Sequence, residues 1–253
     1  MTLGRQRANL LGGLLLLAAC STSSAPAAPT VSPQDPARVA PRDAGPPDAA
    51  PPDVAPLAIV DAPMAWSPER EQLTLDYRRQ HSDPKAVDLV IAPEVIVLHY
   101  TSGGSAKGTR AYFDNVRIEA SRKELARAGL VNVSSHYLVD RDGTIYRLQP
   151  ETRFARHCIG LNHIAIGIEN VGDEDRWPLT AAQVHADAAL VRDLAHRFPI
   201  KYLYGHHEVM ALATAKSPLY LERDPAYRND KGDPGKAFMA KVRAEVTDLA
   251  LSP

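Results

Sequence analysis

Ten of the chain's 21 prolines fall within residues 21–56, and that tract fixes where a fold can begin. The segment, STSSAPAAPTVSPQDPARVAPRDAGPPDAAPPDVAP, has no apolar periodicity and too little hydrophobic surface to offset the entropy of ordering it. It is expected to be an extended, partly polyproline-like tether. Folding is thereby left to residues 57–253, one sizeable domain. Net charge is −1 with both signs interspersed, so composition gives no reason to expect nucleic acid as a partner.

Ahead of the tether, residues 1–20 read as an export signal. Arg5 and Arg7 supply a positive start, and residues 10–17 an apolar core too short to span a bilayer as a helix. The next residues, LAAC, resemble a bacterial lipobox, which makes Cys20 the expected site of lipidation and the new N-terminus. An ordinary signal peptide cleaved nearby is the alternative. Ser21, where an acidic residue would mark retention at the inner membrane, favours the outer membrane facing the periplasm. Cys158 is the only other cysteine. With Cys20 lipidated, no intramolecular disulfide is expected, and stability must come from core packing.

Within residues 57–253 strand and helix signals alternate. PEREQLTLDYRRQHS reads as a short helix, and EVIVLHY at 94–100, rich in β-branched residues, as a buried strand. Two helical stretches are expected at about 105–115 and 118–128. SSHYLVDRDGTIYRL reads as a hairpin turning at Asp142-Gly143. IAIGIENVG is a further strand, and 180–198 an amphipathic helix opened by a Thr180 cap. IKYLYGH is again a strand, and a last helix follows Pro234. The expected fold is α/β of a mixed, α+β-like kind, a central mixed β-sheet flanked by helices.

Of nine histidines, His81, His185 and His196 need no special role. His99 and His206 stand at strand ends, and Asp233 lies where a loop enters a helix, the places where α/β sheets gather their sites. Two imidazoles and a carboxylate suit catalytic zinc, which keeps a fourth position for water. Strand-end histidines also often do no more than satisfy buried carbonyls, and adjacent His207 competes with His206, so spacing alone leaves the choice open.

Five segments in order resolve it: VIVLHYTSG, VSSHYLVDRDGTIYRL, ARHCIGLNHIAIGIEN, YGHHEV and KGDPGKAF. From about residue 73 to 246 the chain resembles the zinc-dependent N-acetylmuramoyl-L-alanine amidases of the Amidase_2 type, whose relatives include phage amidase lysozymes and peptidoglycan recognition proteins. The resemblance implies one Zn2+ held by His99, His206 and Asp233 at the strand ends. It implies Glu169 and Lys231 as catalytic residues, Glu169 as acid and base and Lys231 as positive charge for the oxyanion. It also implies His157 and Asn162 as substrate contacts, with His136 in support and Cys158 merely buried. His163 falls in the same segment and takes no assigned role.

The 26 residues 207–232 depart from many relatives, in which the second histidine and the aspartate stand closer. Tyr220, Arg223, Tyr227 and Arg228 within them are candidates for one wall of a substrate groove. The implied activity is hydrolysis of the amide between N-acetylmuramic acid and L-alanine, with peptidoglycan or muropeptide as substrate and a lipid anchor as membrane partner. Two rivals are a non-catalytic muropeptide-binding module and a periplasmic zinc carboxypeptidase acting on the stem peptide. The lack of a G-x-S-x-G elbow argues against a serine hydrolase.

Overall fold

The β-branched run at 95–100 becomes the strand through which the fold is organised. The computed structural model describes residues 57–252, so the expected signal peptide, Cys20 and the tether lie outside the described residues. In chain order the strands are β1 (Ile59–Asp61), β2 (Val95–Tyr100), β3 (Tyr137–Val139), β4 (Ile145–Arg147), β5 (Ala165–Asn170) and β6 (Tyr202–Gly205). The helices are α1 (Pro68–His81), α2 (Ala106–Asp114), α3 (Lys123–Arg127), α4 (Ala181–Arg197), α5 (Val209–Thr214) and α6 (Lys236–Glu245).

The six strands form one sheet in the order β1-β4-β3-β5-β2-β6. Every pairing is parallel except the β3–β4 hairpin, so the expected mixed sheet is what forms. In that hairpin Gly143 has φ of 89°, the left-handed turn that its position after Asp142 requires. Residues Val95 to Leu98 are 0 % exposed, because β2 is covered on both faces, as interior parallel strands are. On one face Ile96, Leu98, Ile166 and Ile168 pack against Leu190, Val191 and Leu194 of α4 and Met239 and Val242 of α6. On the other face Val95, Val97 and Ala165 meet Cys158, Leu161 and Tyr204. His99 and Glu169 belong to this second face by strand alternation.

Helix α4 begins where its sequence indicates. The Thr180 hydroxyl accepts from Gln183 N at 3.2 Å, and Gln183 Oε1 accepts from Thr180 N at 2.9 Å, a complete capping box. Gln183 Nε2 also donates to the carbonyls of Val139 and Val171, which fastens the helix to the strand ends.

Three features differ from expectation. The helix expected at 118–128 shrinks to Lys123–Arg127. Ile118 N donates to Leu130 O and Asn132 N to Val116 O, so the flanking backbone is spent on an antiparallel bridge. Strand β1 and helix α5 carried no clear periodic signal. β1 is only three residues long and gains its order by pairing with β4. α5 is held by Val209, which packs into the core below β6.

Candidate metal centre and active site

β2, β5 and β6 run parallel, so their C-terminal ends open on one side, and the candidate ligands meet there. His99 is the second-to-last residue of β2 and 2 % exposed. His206 opens the 3-10 turn His206–Glu208 that follows β6. Arg243 holds that turn: its guanidinium donates to both oxygens of Glu208, at 2.8 and 2.6 Å, and to Leu203 O at 2.7 Å. Asp233 is brought in by the main chain, since His207 N donates to Asp233 O at 2.9 Å. The His207 ring stays outside the cluster, its Nδ1 3.2 Å from the same carbonyl oxygen.

Three atoms converge. His99 Nδ1 lies 3.0 Å from His206 Nδ1 and 3.1 Å from Asp233 Oδ2, and His206 Nδ1 lies 3.1 Å from Asp233 Oδ2. Two imidazole nitrogens and a carboxylate oxygen at the corners of a near-equilateral triangle can act as three lone-pair donors around one point. A tetrahedral zinc with bonds of about 2.0–2.1 Å spaces its ligand atoms roughly 3.3 Å apart, so both the donor set and the spacing fit such an ion. Among the described residues this is the one cluster of this kind. Asp233 is held far below the usual carboxylate range by His206 and His99, against the cost of its burial. Burial, with the His206 ring beside it, pushes His99 down to about 4.

Behind the ligands lies a layer of hydrogen bonds. His99 Nε2 is 3.0 Å from His157 Nδ1, and His157 Nε2 is 3.2 Å from Ala165 O. Both ring nitrogens of His157 are thus engaged within the protein, and burial pushes this imidazole well below the usual histidine value. Asn162 Oδ1 accepts from the backbone N–H groups of His157 and Cys158, at 2.9 and 2.7 Å, and pins the turn that carries them. His136 accepts from Gly167 N at 2.9 Å, and its Nε2 faces Arg153 O at 2.8 Å, so it is satisfied as a structural residue. From the sheet's helix side, Asn170 Nδ2 donates to His99 O at 3.3 Å and to Asp187 Oδ2 at 2.9 Å.

A cleft of about 530 Å³ opens over the three ligands, and Glu169, Lys231, His157, Asn162 and Cys158 all line it. Glu169 pairs in register with His99 on the adjoining strand, which sets the carboxylate beside the ligand cluster. Its Oε2 is out of solvent contact and has no hydrogen-bond partner. Burial first and Asp233 second raise Glu169 well above its ordinary value, while Lys231 and Arg122 pull it down. A carboxyl group whose proton affinity is shifted in this way, beside a cluster of candidate ligands, is a candidate for general acid and base chemistry. Cys158 is 1 % exposed, its thiol pushed up by burial, and its sulfur stands apart from the ligand cluster. His163 does not line the cleft.

Of the residues 207–232, Tyr227 and Asn229 line the cleft together with Lys231, whereas Tyr220, Arg223 and Arg228 do not. Tyr220 instead packs across Gly160. Sequence reasoning passed over Tyr100, Tyr112, Arg122 and Arg156, which complete the cleft wall. It also passed over Asp187, for which a signal existed. A charged residue stands among Val184, Leu190, Val191 and Leu194, on the stripe of α4 that faces the core.

A family model described as N-acetylmuramoyl-L-alanine amidase matches residues 90–236, more than half of the chain. The chain is 28% identical over 125 residues to the endolysin of Escherichia phage T7, covering 47% of this chain and 83% of the phage protein. It is 27% identical over 117 residues to peptidoglycan-recognition protein SC2 of Drosophila melanogaster, covering 45% of this chain and 62% of that one. Among solved structures it is similar to the endolysine N-acetylmuramoyl-L-alanine amidase LysCS from Clostridium intestinale URNW. There the TM-score is 0.48 at 21% identity, over 75% of this chain and 95% of the other.

Proposed function

The chain belongs to the N-acetylmuramoyl-L-alanine amidase family, and from that premise we propose that it works with one zinc ion held by His99, His206 and Asp233. The reaction is hydrolysis of the amide between N-acetylmuramic acid and the L-alanine of the stem peptide. The observation that carries the proposal is the meeting of two Nδ1 atoms and one carboxylate oxygen within 3.0–3.1 Å of one another. Glu169, whose Oε2 is without a hydrogen-bond partner, lines the same cleft.

A zinc ion held by these three residues would supply Lewis acidity, the chemistry that makes water nucleophilic near neutral pH. Glu169 takes the proton of the attacking water and delivers it to the leaving nitrogen, so one group acts as base and then as acid. Burial and Asp233 raise its proton affinity, which suits a group that must hold the proton between the two steps, and the positive charges of Lys231 and Arg122 oppose that rise. Lys231, on the cleft wall, offsets the negative charge that develops on the carbonyl oxygen. Asn162 and His157 line the cleft and are the proposed substrate contacts. The export signal and the LAAC motif support the finer part of the proposal: a lipid anchor at Cys20, a tether over residues 21–56, and an outer-membrane address facing the periplasm.

The test is incubation of the purified protein with a defined muropeptide, with products read by mass spectrometry. The expected product is free stem peptide with an unblocked L-alanine amine, lost on chelation and restored by zinc. Glu169→Gln is expected to retain zinc and lose roughly 10²–10⁴-fold in kcat. A shortened stem in place of a released one, or full turnover by the Gln variant, would refute the assignment.

A further inference from the structure

The imidazole of His157 is 5.2 Å centroid to centroid from that of His99 and nearly perpendicular to it, at 88°. It is seated with unusual care. A Cβ at position 167 would come within 2.7 Å of its ring atoms, so glycine there is what lets the ring lie against β5. Its backbone N–H is held by Asn162 Oδ1 at 2.9 Å. Such support is more than a buried histidine needs merely to be satisfied, and the proton count along the contacts shows what it secures.

Ala165 O can only accept, so the His157 nitrogen 3.2 Å away, Nε2, carries the hydrogen. A neutral imidazole has one N–H, which leaves His157 Nδ1 as an acceptor. The group 3.0 Å from it is His99 Nε2, which therefore carries the hydrogen of its own ring. His99 Nδ1 is then bare, and this is the atom that stands 3.0 Å from His206 Nδ1 and 3.1 Å from Asp233 Oδ2.

We infer that His157 is a positioning residue for the metal centre: through the chain Ala165 O, His157, His99 it fixes the His99 tautomer and ring angle, presenting Nδ1 to the ion. The inference rests on the zinc site proposed above and goes beyond it in assigning a residue that touches neither the ion nor the scissile bond. Groups that orient metal-bound histidines in this way typically govern affinity by about 10–100-fold.

The test uses the full chain. In the metal-free protein, 15N NMR of the histidine rings is expected to show the His99 hydrogen on Nε2, with zinc then shifting the Nδ1 resonance. Zinc affinity is read by competition with a chromophoric chelator. His157→Phe, which keeps a ring and removes the acceptor, is expected to weaken zinc by about 10–100-fold. His157→Asn, whose Oδ1 falls where Nδ1 stands, is expected to recover most of that loss. Thermal unfolding of both variants in chelator separates any general loss of stability from the effect on the site. A His99 hydrogen on Nδ1 in the metal-free protein would overturn the inference, as would unchanged zinc affinity in His157→Phe or equal losses in the Phe and Asn variants. Failure of the unsubstituted protein to take up zinc would instead refute the metal site itself, and the metal-free tautomer would still decide the relay.

Discussion

Asp187 is a carboxyl group sealed in the apolar layer between the sheet and α4, at 0 % exposure, and its burial makes stability depend on pH in a way one substitution removes. Burial raises its pKa from 3.8 to about 8, and the one hydrogen bond it receives, from Asn170, only partly opposes that. The folded chain therefore holds this proton to higher pH than the unfolded chain does. Between the two values unfolding releases the proton, so raising pH favours the unfolded state, and the loss levels off above the folded value. At about 1.4 kcal/mol per unit, the loss from this group between about pH 5 and about pH 8 comes to roughly 3–4 kcal/mol. Asp187→Asn keeps an acceptor for Asn170 Nδ2, which also holds the His99 carbonyl, and carries no charge at any pH. Other titrating groups are common to both proteins and cancel in the comparison. In urea unfolding with chelator present, Asn is expected to be near neutral or mildly destabilising at the lower pH and to gain those roughly 3–4 kcal/mol relative to wild type by the upper one. A difference between the two proteins that stays flat with pH, within about 0.5 kcal/mol, would refute the linkage.

Two further outcomes follow from the geometry. His206→Ala removes a ligand atom and is expected to weaken zinc beyond the roughly 100-fold that supporting groups reach, whereas His207→Ala keeps the backbone bond to Asp233 O and is expected to stay within about tenfold of wild type in the same competition assay. Arg156 is 2 % exposed and donates to the carbonyls of Gly129, Val131 and Leu125 and to the Tyr227 hydroxyl. Arg156→Met strands those carbonyls and is expected to cost roughly 3–5 kcal/mol, a fall in Tm on the order of 10 °C by calorimetry, and an unchanged Tm would contradict the role assigned to the guanidinium.

The elements legible in the sequence are those whose signal is local. The β-branched run 95–100, the Asp142-Gly143 turn and the Thr180 cap each state their own structure, and each forms where expected. Strand β1 is ordered by its pairing with β4, and the 116–118 backbone is drawn off helix by its pairing partners at 130–132. Neither partner is adjacent in sequence, so neither outcome has a local signature. For the same reason α5 has no local signature: its six residues are too few to show a period, and their order comes from the packing of Val209 and Leu212.

The site divides along the same line, and the division explains how it works. Strand ends and a loop before a helix made His99, His206 and Asp233 candidates without any knowledge of distances, and the five-segment resemblance chose them over His207. What sequence order does not carry is which nitrogen of a ring faces the centre. That is settled by residues 58 and 107 positions from His99 in the chain, His157 and His206, whose contacts exist only once β2, β5 and β6 are side by side. His99 is thus gripped at its ring by His157 from the cleft face and at its carbonyl by Asn170 from the helix face. A side chain held from both faces has little freedom left to lose on binding a cation, and such preorganisation would favour the zinc proposed for this three-residue set.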